Sequence, residues 1–409
     1  MNERPWLRSI AWLLFLGPFF FATYYFANFA ASQRASVPVV MFSWERYIPL
    51  IAWTILPYWS TDLLYPLSLL ICRTRGEVDL QGKRLFAMQV FAIACFLLFP
   101  LRCSFESPSV AGWERAWFAA LHTFDRPFNQ APSLHAGLAV ILWMRFRADT
   151  HGVPRLALAA WCVLMAASTF TTHQHQFIDL PTGAWVGLLV VAAFPEHRKT
   201  SPHIRLTLLY LAGAITCVTA AFLFQGFAWV LLWPGFALSM VAAAYWSGNP
   251  QWLKMGLLML PYTVAAWINS RCWTRGESAR THLAGGVWIG RAPLPWERAG
   301  MKSFVDLAPE LRLSADEHVD ILDLTVPACE QLDQAVQAII RLANGRPTLV
   351  CCALGYSRSA IVSAAWLIAS GHATSTEEAI AQVRRVRPKV VLRDAHRMRL
   401  NEWTMHFTA

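Results

Sequence analysis

Long apolar runs fill the first two thirds of the chain, and short alternating segments fill the last third. Runs near the length of about 20 residues that crosses a bilayer core cover residues 9–30, 48–72, 85–101, 132–144, 156–171, 178–194, 206–224, 227–246 and 252–270. The fourth is short and has to extend to Phe146 or into the loop before it. The first follows Arg4 and Arg8 but is too long for a signal-peptide core, and no clean small-residue cleavage site follows, so it reads as an uncleaved span. Residues 271–282 read as a polar linker. Beyond them the pattern changes to strands at 286–289, 303–306, 319–322 and 348–351 and helices at 332–343, 359–370 and 376–386. The expected fold class is an all-α polytopic membrane domain of about nine transmembrane helices plus a C-terminal α/β domain. Its parts are a six-span core (1–195), three additional helices (196–270), the linker (271–282) and the α/β domain (283–409).

Composition sharpens this. Hydrophobic residues make up 56% and charged residues 15%, against about 25% charged in a soluble domain. The net charge of +10 could suggest nucleic acid, but residues 283–409 hold 14 Lys+Arg and 13 Asp+Glu, so the excess lies in the loops between apolar runs. That is an orientation bias, and no nucleic-acid partner is expected. The N-terminus and the loops after runs two, four and six, including Arg198, Lys199 and Arg205, carry twelve basic residues against five in the alternate loops. The N-terminus is therefore expected in the cytoplasm, and the protein in the inner (plasma) membrane of a bacterium. The nine cysteines show no paired spacing, so neither a disulfide framework nor a zinc site is indicated.

The most specific signal is Cys352-Ala353-Leu354-Gly355-Tyr356-Ser357-Arg358-Ser359. An apolar strand ends at Cys352 and a helix starts just after the loop. Backbone N–H groups of a loop entering a helix converge on one point and stabilise an anion there. A thiol heading such a loop is favoured as its thiolate, and Arg358 offers a planar fork for two phosphate oxygens. Gly355 permits a turn that a side chain would obstruct. The segment resembles the cysteine-x5-arginine loop of the dual-specificity branch of the protein-tyrosine-phosphatase superfamily. Gly286-Val287-Trp288-Ile289-Gly290-Arg291 and Phe304-Val305-Asp306-Leu307 fall in that family's early-strand positions. The resemblance implies attack by Cys352 on a phosphate ester, a thiophosphate intermediate, and Ser359 assisting departure of the thiolate. It also implies Asp323, 29 residues before Cys352, as the general acid, with Asp320 as the fallback. Ala353, Leu354, Gly355, Tyr356 and Ser357 would line the phosphate site. They include no cation, which suits one phosphomonoester better than a polyphosphoinositide. Cys351 stands where the family usually has histidine, which opens the chance of a vicinal disulfide.

A second constellation lies in the apolar part: Arg126-Pro127, then Pro132-Ser133-Leu134-His135, then Ser168 through His175 to Asp179. His175 and Asp179 are four apart, so on a helix they share a face and the carboxylate can fix the imidazole tautomer. By the run count all four polar residues reach the same, outer membrane face. The order resembles the lipid-phosphate phosphatase and phosphotransferase superfamily, phosphatidate-phosphatase and sphingomyelin-synthase-like. It implies His175 as a nucleophile forming phosphohistidine, His135 as the acid for the leaving alkoxide, Asp179 orienting His175, and Arg126 and Ser133 binding substrate. Ala119 and Thr169 occupy positions where that family has phosphate-clamping cations, which brings the sequence closer to the transferase-like members. A zinc site from His135, His173, His175 and Asp179 is the competing reading, and Asp62 is an intramembrane carboxylate without a motif. Arg384, Arg385, Arg387 and Lys389 read as a solvated helix face.

The expected protein is a bifunctional membrane phosphatase and lipid phosphotransferase. It needs no cofactor or metal and acts on a phospholipid or other phosphomonoester among membrane lipids. The alternatives are a membrane-tethered dual-specificity phosphatase acting on protein or soluble phosphates with a non-catalytic anchor, and a non-catalytic sensor or transporter. Nine crossings from a cytoplasmic N-terminus put the C-terminal domain outside. Arg271, Arg275 and Arg280 after the last run, and the safety of a nucleophilic thiol in a reducing cytoplasm, argue for the inside.

Overall fold

A computed structural model describes residues 4–105, 110–196 and 200–407. Arg198 and Lys199, counted above among the basic loop residues, lie outside the described residues. The chain divides into two compact units, residues 1–196 and 197–409.

The first unit is helical: α1 (Trp6–Ser32), α2 (Ile55–Leu70), α3 (Arg75–Leu98), α4 (Glu114–Phe124), α5 (Leu134–Phe146), α6 (Gly152–Thr171) and α7 (Asp179–Ala193). Local chemistry sets several of the starts. Thr74 caps α3 by accepting from the Glu77 N–H (3.2 Å) while Glu77 accepts from the Arg73 N–H (3.0 Å). Ser133 caps α5 by accepting from Ala136 N–H at 3.3 Å. Helix α4 falls where the sequence reads as a loop: its Phe118 and Leu121 bury against Ile55 and Tyr58, while Trp113 and Trp117 stay exposed. Helices α5 and α7 touch backbone to backbone. A Cβ on Gly183 would lie 2.2 Å from the Ser133 carbonyl oxygen, and one on Gly187 would lie 2.6 Å from that of Gly137. Only glycine allows that approach.

The second unit opens with α8 (Ile204–Phe224), α9 (Leu232–Ser247) and α10 (Leu260–Trp273). An α/β domain follows: β1 (Arg280–Ala284), β2 (Val287–Arg291), β3 (Ser303–Asp306), β4 (Glu317–His318), α11 (Cys329–Leu342), β5 (Thr348–Cys352), α12 (Arg358–Ala369), α13 (Thr376–Val386) and α14 (Asp394–Phe407). The strands form a mixed sheet in the order β1-β2-β5-β3-β4, with β1 antiparallel to β2 and the other pairs parallel. Strand β5 is central and buried along its whole length, as an unbroken apolar run requires. Residues read as a linker are ordered structure instead: α10 runs on to Trp273 and β1 starts at Arg280. The strand expected at 319–322 lies earlier, at β4, where Glu317 and His318 pair with Val305 and Asp306. Strand β3 ends at Asp306, so after the Val319 N–H bond to its carbonyl the chain has no partner strand to follow. Helix α14 has an apolar pattern too weak to mark it in the sequence, although Leu400 and Trp403 enter the core.

Among the described residues, five helical stretches are long and apolar enough to cross a membrane: Trp6–Ser32, Arg75–Leu98, Gly152–Thr171, Ile204–Phe224 and Gly226–Ser247. The other apolar runs fold as shorter helices, α2, α5, α7 and α10, of 16, 13, 15 and 14 residues.

Candidate functional sites

Strand β5 delivers Cys352 to the mouth of the loop, and α12 begins six residues later at Arg358. Gly355 turns the chain at φ +75°, and a Cβ there would come within 2.6 Å of the Gly290 carbonyl carbon on β2. That turn aims the Gly355 N–H at Cys352 Sγ (3.2 Å), and Ser359 Oγ lies 3.4 Å from the same sulfur. Cys351 points to the other side of the sheet, beside Phe304 and Leu349, with its Sγ toward the Val305 carbonyl at 3.6 Å. Burial pushes its thiol well above the ordinary value. Adjacent residues of a strand face opposite ways, so the two thiols do not form a vicinal disulfide and both cysteines are free.

Arg358 is 1% exposed, and a feature invisible in the sequence holds it. The buried Glu310 carboxylate accepts from both guanidinium ends, at 2.6 and 3.0 Å, and the Ile321 carbonyl accepts a further bond at 3.1 Å. Asp323 Oδ1 stands 3.2 Å from the same group. Burial alone would lower this guanidinium, but Asp323 and Glu310 outweigh it and raise its pKa further. The only sequence signal for Glu310 was an acid between Pro309 and Leu311 in an apolar stretch. The fallback acid, Asp320, is instead paired with Lys254 at 2.6 Å.

The loop residues play uneven parts. Tyr356 turns its hydroxyl outward to Glu277 (2.7 Å), and the Ser357 hydroxyl lies 3.3 Å from His396 Nε2, so neither side chain is free as a lining group. The Ala353 carbonyl accepts from Ser270 Oγ on α10 at 2.5 Å, and the Leu354 carbonyl from Arg387 at 3.3 Å. Arg387, read as part of a solvated face, is 4% exposed and braces the loop from behind.

In the first unit, His175 Nδ1 lies 3.2 Å from Asp179 Oδ2, and that oxygen also accepts from the Gln176 N–H at 3.0 Å. His175 precedes α7 rather than standing on it, so the pair meets across a turn at the helix start and not along a helix face. The rings of His135, in the first turn of α5, and His175 are 6.5 Å apart, and Tyr58 stacks on His135 at 4.1 Å. The glycine contact between α5 and α7 makes this meeting possible, and Ser133 N–H donates to the Asp179 carbonyl at 2.9 Å. The Ser133 hydroxyl is occupied as the α5 cap. Arg126 is exposed in the segment before α5. His173 is committed elsewhere, with Nε2 3.2 Å from the Ile48 carbonyl and its ring stacked on Phe105. It does not join His135, His175 and Asp179 as the zinc reading requires.

Residues 308–406 match the family model of the dual-specificity phosphatase catalytic domain. Among solved structures, Tk-PTP in the active form is 31% identical, covering 31% of this chain and 97% of that one, with a TM-score of 0.29. PTPMT1 in complex with PI(5)P is 24% identical over 32% of this chain and 97% of that one (TM-score 0.29), and human DUSP28 is 22% identical over 32% and 96% (TM-score 0.27). No curated protein matches the chain. The C-terminal part of the chain thus carries a dual-specificity phosphatase catalytic domain, and the protein is a phosphoric monoester hydrolase.

Proposed function

We propose that the protein is a bifunctional membrane enzyme, with Cys-dependent phosphomonoester hydrolysis in the second unit and phosphohistidine-type transfer or hydrolysis of a lipid phosphate in the first. The observation that carries the hydrolase part is the meeting of Cys352 Sγ with the Gly355 N–H and Ser359 hydroxyl, beside a buried Arg358 and Asp323. In the first step the Cys352 thiolate bonds to phosphorus, the P–O ester bond breaks, and Asp323 protonates the departing alkoxide. In the second, water attacks the thiophosphate, Asp323 takes its proton, and Ser359 donates a hydrogen bond to the leaving sulfur. Loop N–H groups and Arg358 stabilise the equatorial oxygens in both steps.

The membrane part rests on the His175–Asp179 pair facing His135. Asp179 fixes Nδ1, which leaves Nε2 of His175 as the attacking nitrogen and His135 as the proton donor to the leaving alkoxide. In the purified full-length protein, Cys352→Ser should abolish hydrolysis of a small aryl phosphate, whereas His175→Ala should abolish lipid headgroup exchange or release and spare aryl phosphate turnover. Unchanged headgroup chemistry in His175→Ala reduces the first unit to an anchor. Wild-type aryl phosphate turnover in Cys352→Ser removes the thiolate mechanism.

A further inference from the structure

Residues 252–270 have the composition of a ninth crossing, yet both ends of that stretch rest on the phosphatase domain. At its start Lys254 pairs with Asp320 (2.6 Å), and Arg312 donates to the Gly256 carbonyl. At its end the Trp267 indole donates to the Leu311 carbonyl (3.3 Å) and Ser270 to the Ala353 carbonyl of the phosphate loop (2.5 Å). A helix crossing a core about 30 Å thick has its ends on opposite faces, and a domain in water cannot hold both. Between these ends the chain runs beside α9, where Trp233 Nε1 donates to the Leu258 carbonyl at 3.1 Å, and α10 then returns.

The two faces of α10 differ. Thr263, Trp267 and Ser270 turn toward the phosphatase domain or the neighbouring helices, while Leu260, Val264 and Ile268 form an exposed apolar stripe that Leu257, in the turn before the helix, continues. The occupant of that stripe follows from its tether. Helix α8 and the stretch Gly226–Ser247 that ends in α9, both of membrane-crossing length and apolarity, contact the phosphatase where that stretch ends. There His203 N–H bonds to the Tyr245 carbonyl (3.0 Å), and the Tyr245 hydroxyl donates to the carbonyl of Asp323 (3.1 Å). The far tip, residues 225–231, has no charged residue, whereas Arg205, Lys254, Arg271 and Arg275 gather at the near end. By the positive-inside bias the near end is cytoplasmic. Non-helical backbone at membrane depth is tolerated where protein satisfies it, as Trp233 of α9 does for the Leu257 and Leu258 carbonyls.

We infer that residues 252–273 are a re-entrant element dipping into the cytoplasmic leaflet, with the phosphatase on that face and its substrate a phosphomonoester carried on a lipid of that leaflet. The inference rests on the phosphatase reading for its substrate, and on packing and the placement of basic residues for its topology. Ser270 then ties the phosphate loop to this element through the Ala353 carbonyl, and Leu324, exposed beside Asp323, is an apolar contact for a lipid substrate.

Two measurements test it. Reporters placed in the loop between α7 and α8 and after Ala409 should fall on the same side of the membrane; opposite sides overturn the re-entrant assignment. In a His175→Ala background, the double variant Val264→Asp/Ile268→Asp should lower turnover of phosphatidic acid in phosphatidylcholine vesicles about tenfold relative to para-nitrophenyl phosphate. If the pair of aspartates unfolds the protein, Ile268→Ser should shift the same ratio in the same direction. An unchanged lipid-to-soluble ratio overturns the substrate assignment. A wild-type protein inactive on both esters would instead sink the phosphatase reading and leave the reporter result standing.

Discussion

Arg358 and Asp323 show how one side chain can serve two ends. The buried Glu310 fixes the guanidinium from behind, so its fork is already oriented, while Asp323 stands at its open side. Lysine carries the charge, but its donors sit on one nitrogen and cannot form the planar fork that grips Glu310 and a phosphate together. Arg358→Lys should therefore reduce aryl phosphate turnover on the order of 100-fold or more, with a fold intact by circular dichroism. Asp323→Asn should slow alkyl esters about 100-fold and para-nitrophenyl phosphate far less, since a good leaving group needs no proton. Equal losses on both esters would move the acid elsewhere, and the Lys254 pairing of Asp320 makes that residue a poor replacement.

At the scale of elements, each candidate site depends on close approach enforced by glycine. Gly355 brings the phosphate loop against β2, and Gly183 brings α7 against the cap of α5. A methyl group at Gly183 meets the Ser133 carbonyl, whose residue also bonds to Asp179, so the helices must separate at the level where His135 faces His175. Such overpacking costs about 1–3 kcal/mol. Gly183→Ala should accordingly lower lipid headgroup chemistry while leaving aryl phosphate hydrolysis within about twofold of wild type. An equal loss in both assays would show general unfolding rather than a local displacement.

For the whole molecule, the phosphatase core does not end at the start of its family match. Trp267 and Ala266 of α10 pack on its core cluster, Ser270 bonds to the phosphate loop, and β1 begins at Arg280. A fragment of residues 283–409 cuts β1 and discards Trp267, whose burial is worth about 1.5–3 kcal/mol. That fragment should melt lower and turn over aryl phosphate more slowly than one of residues 250–409 in detergent. Equal melting temperatures would show that α10 contributes nothing to the domain.

Much of this was legible in order alone. The cysteine-to-arginine spacing, the strand before it and the helix after it identify the phosphatase loop, because an anion cradle needs those residues consecutively. Apolar runs identify the helical part for the same local reason. Tertiary structure decided whatever depends on distant residues meeting. Glu310 reaches Arg358 across 48 positions, Arg387 braces Leu354 across 33, and Ser270 reaches Ala353 across 83; no periodicity records such pairings. Cys351 read as a threat to Cys352 because sequence gives neighbours but not faces, whereas the pleat of β5 sends the two thiols apart. The run at 252–270 is the plainest case. Its hydropathy marks only an apolar run, and the contacts of Lys254 and Ser270 with a single domain fix where its two ends lie.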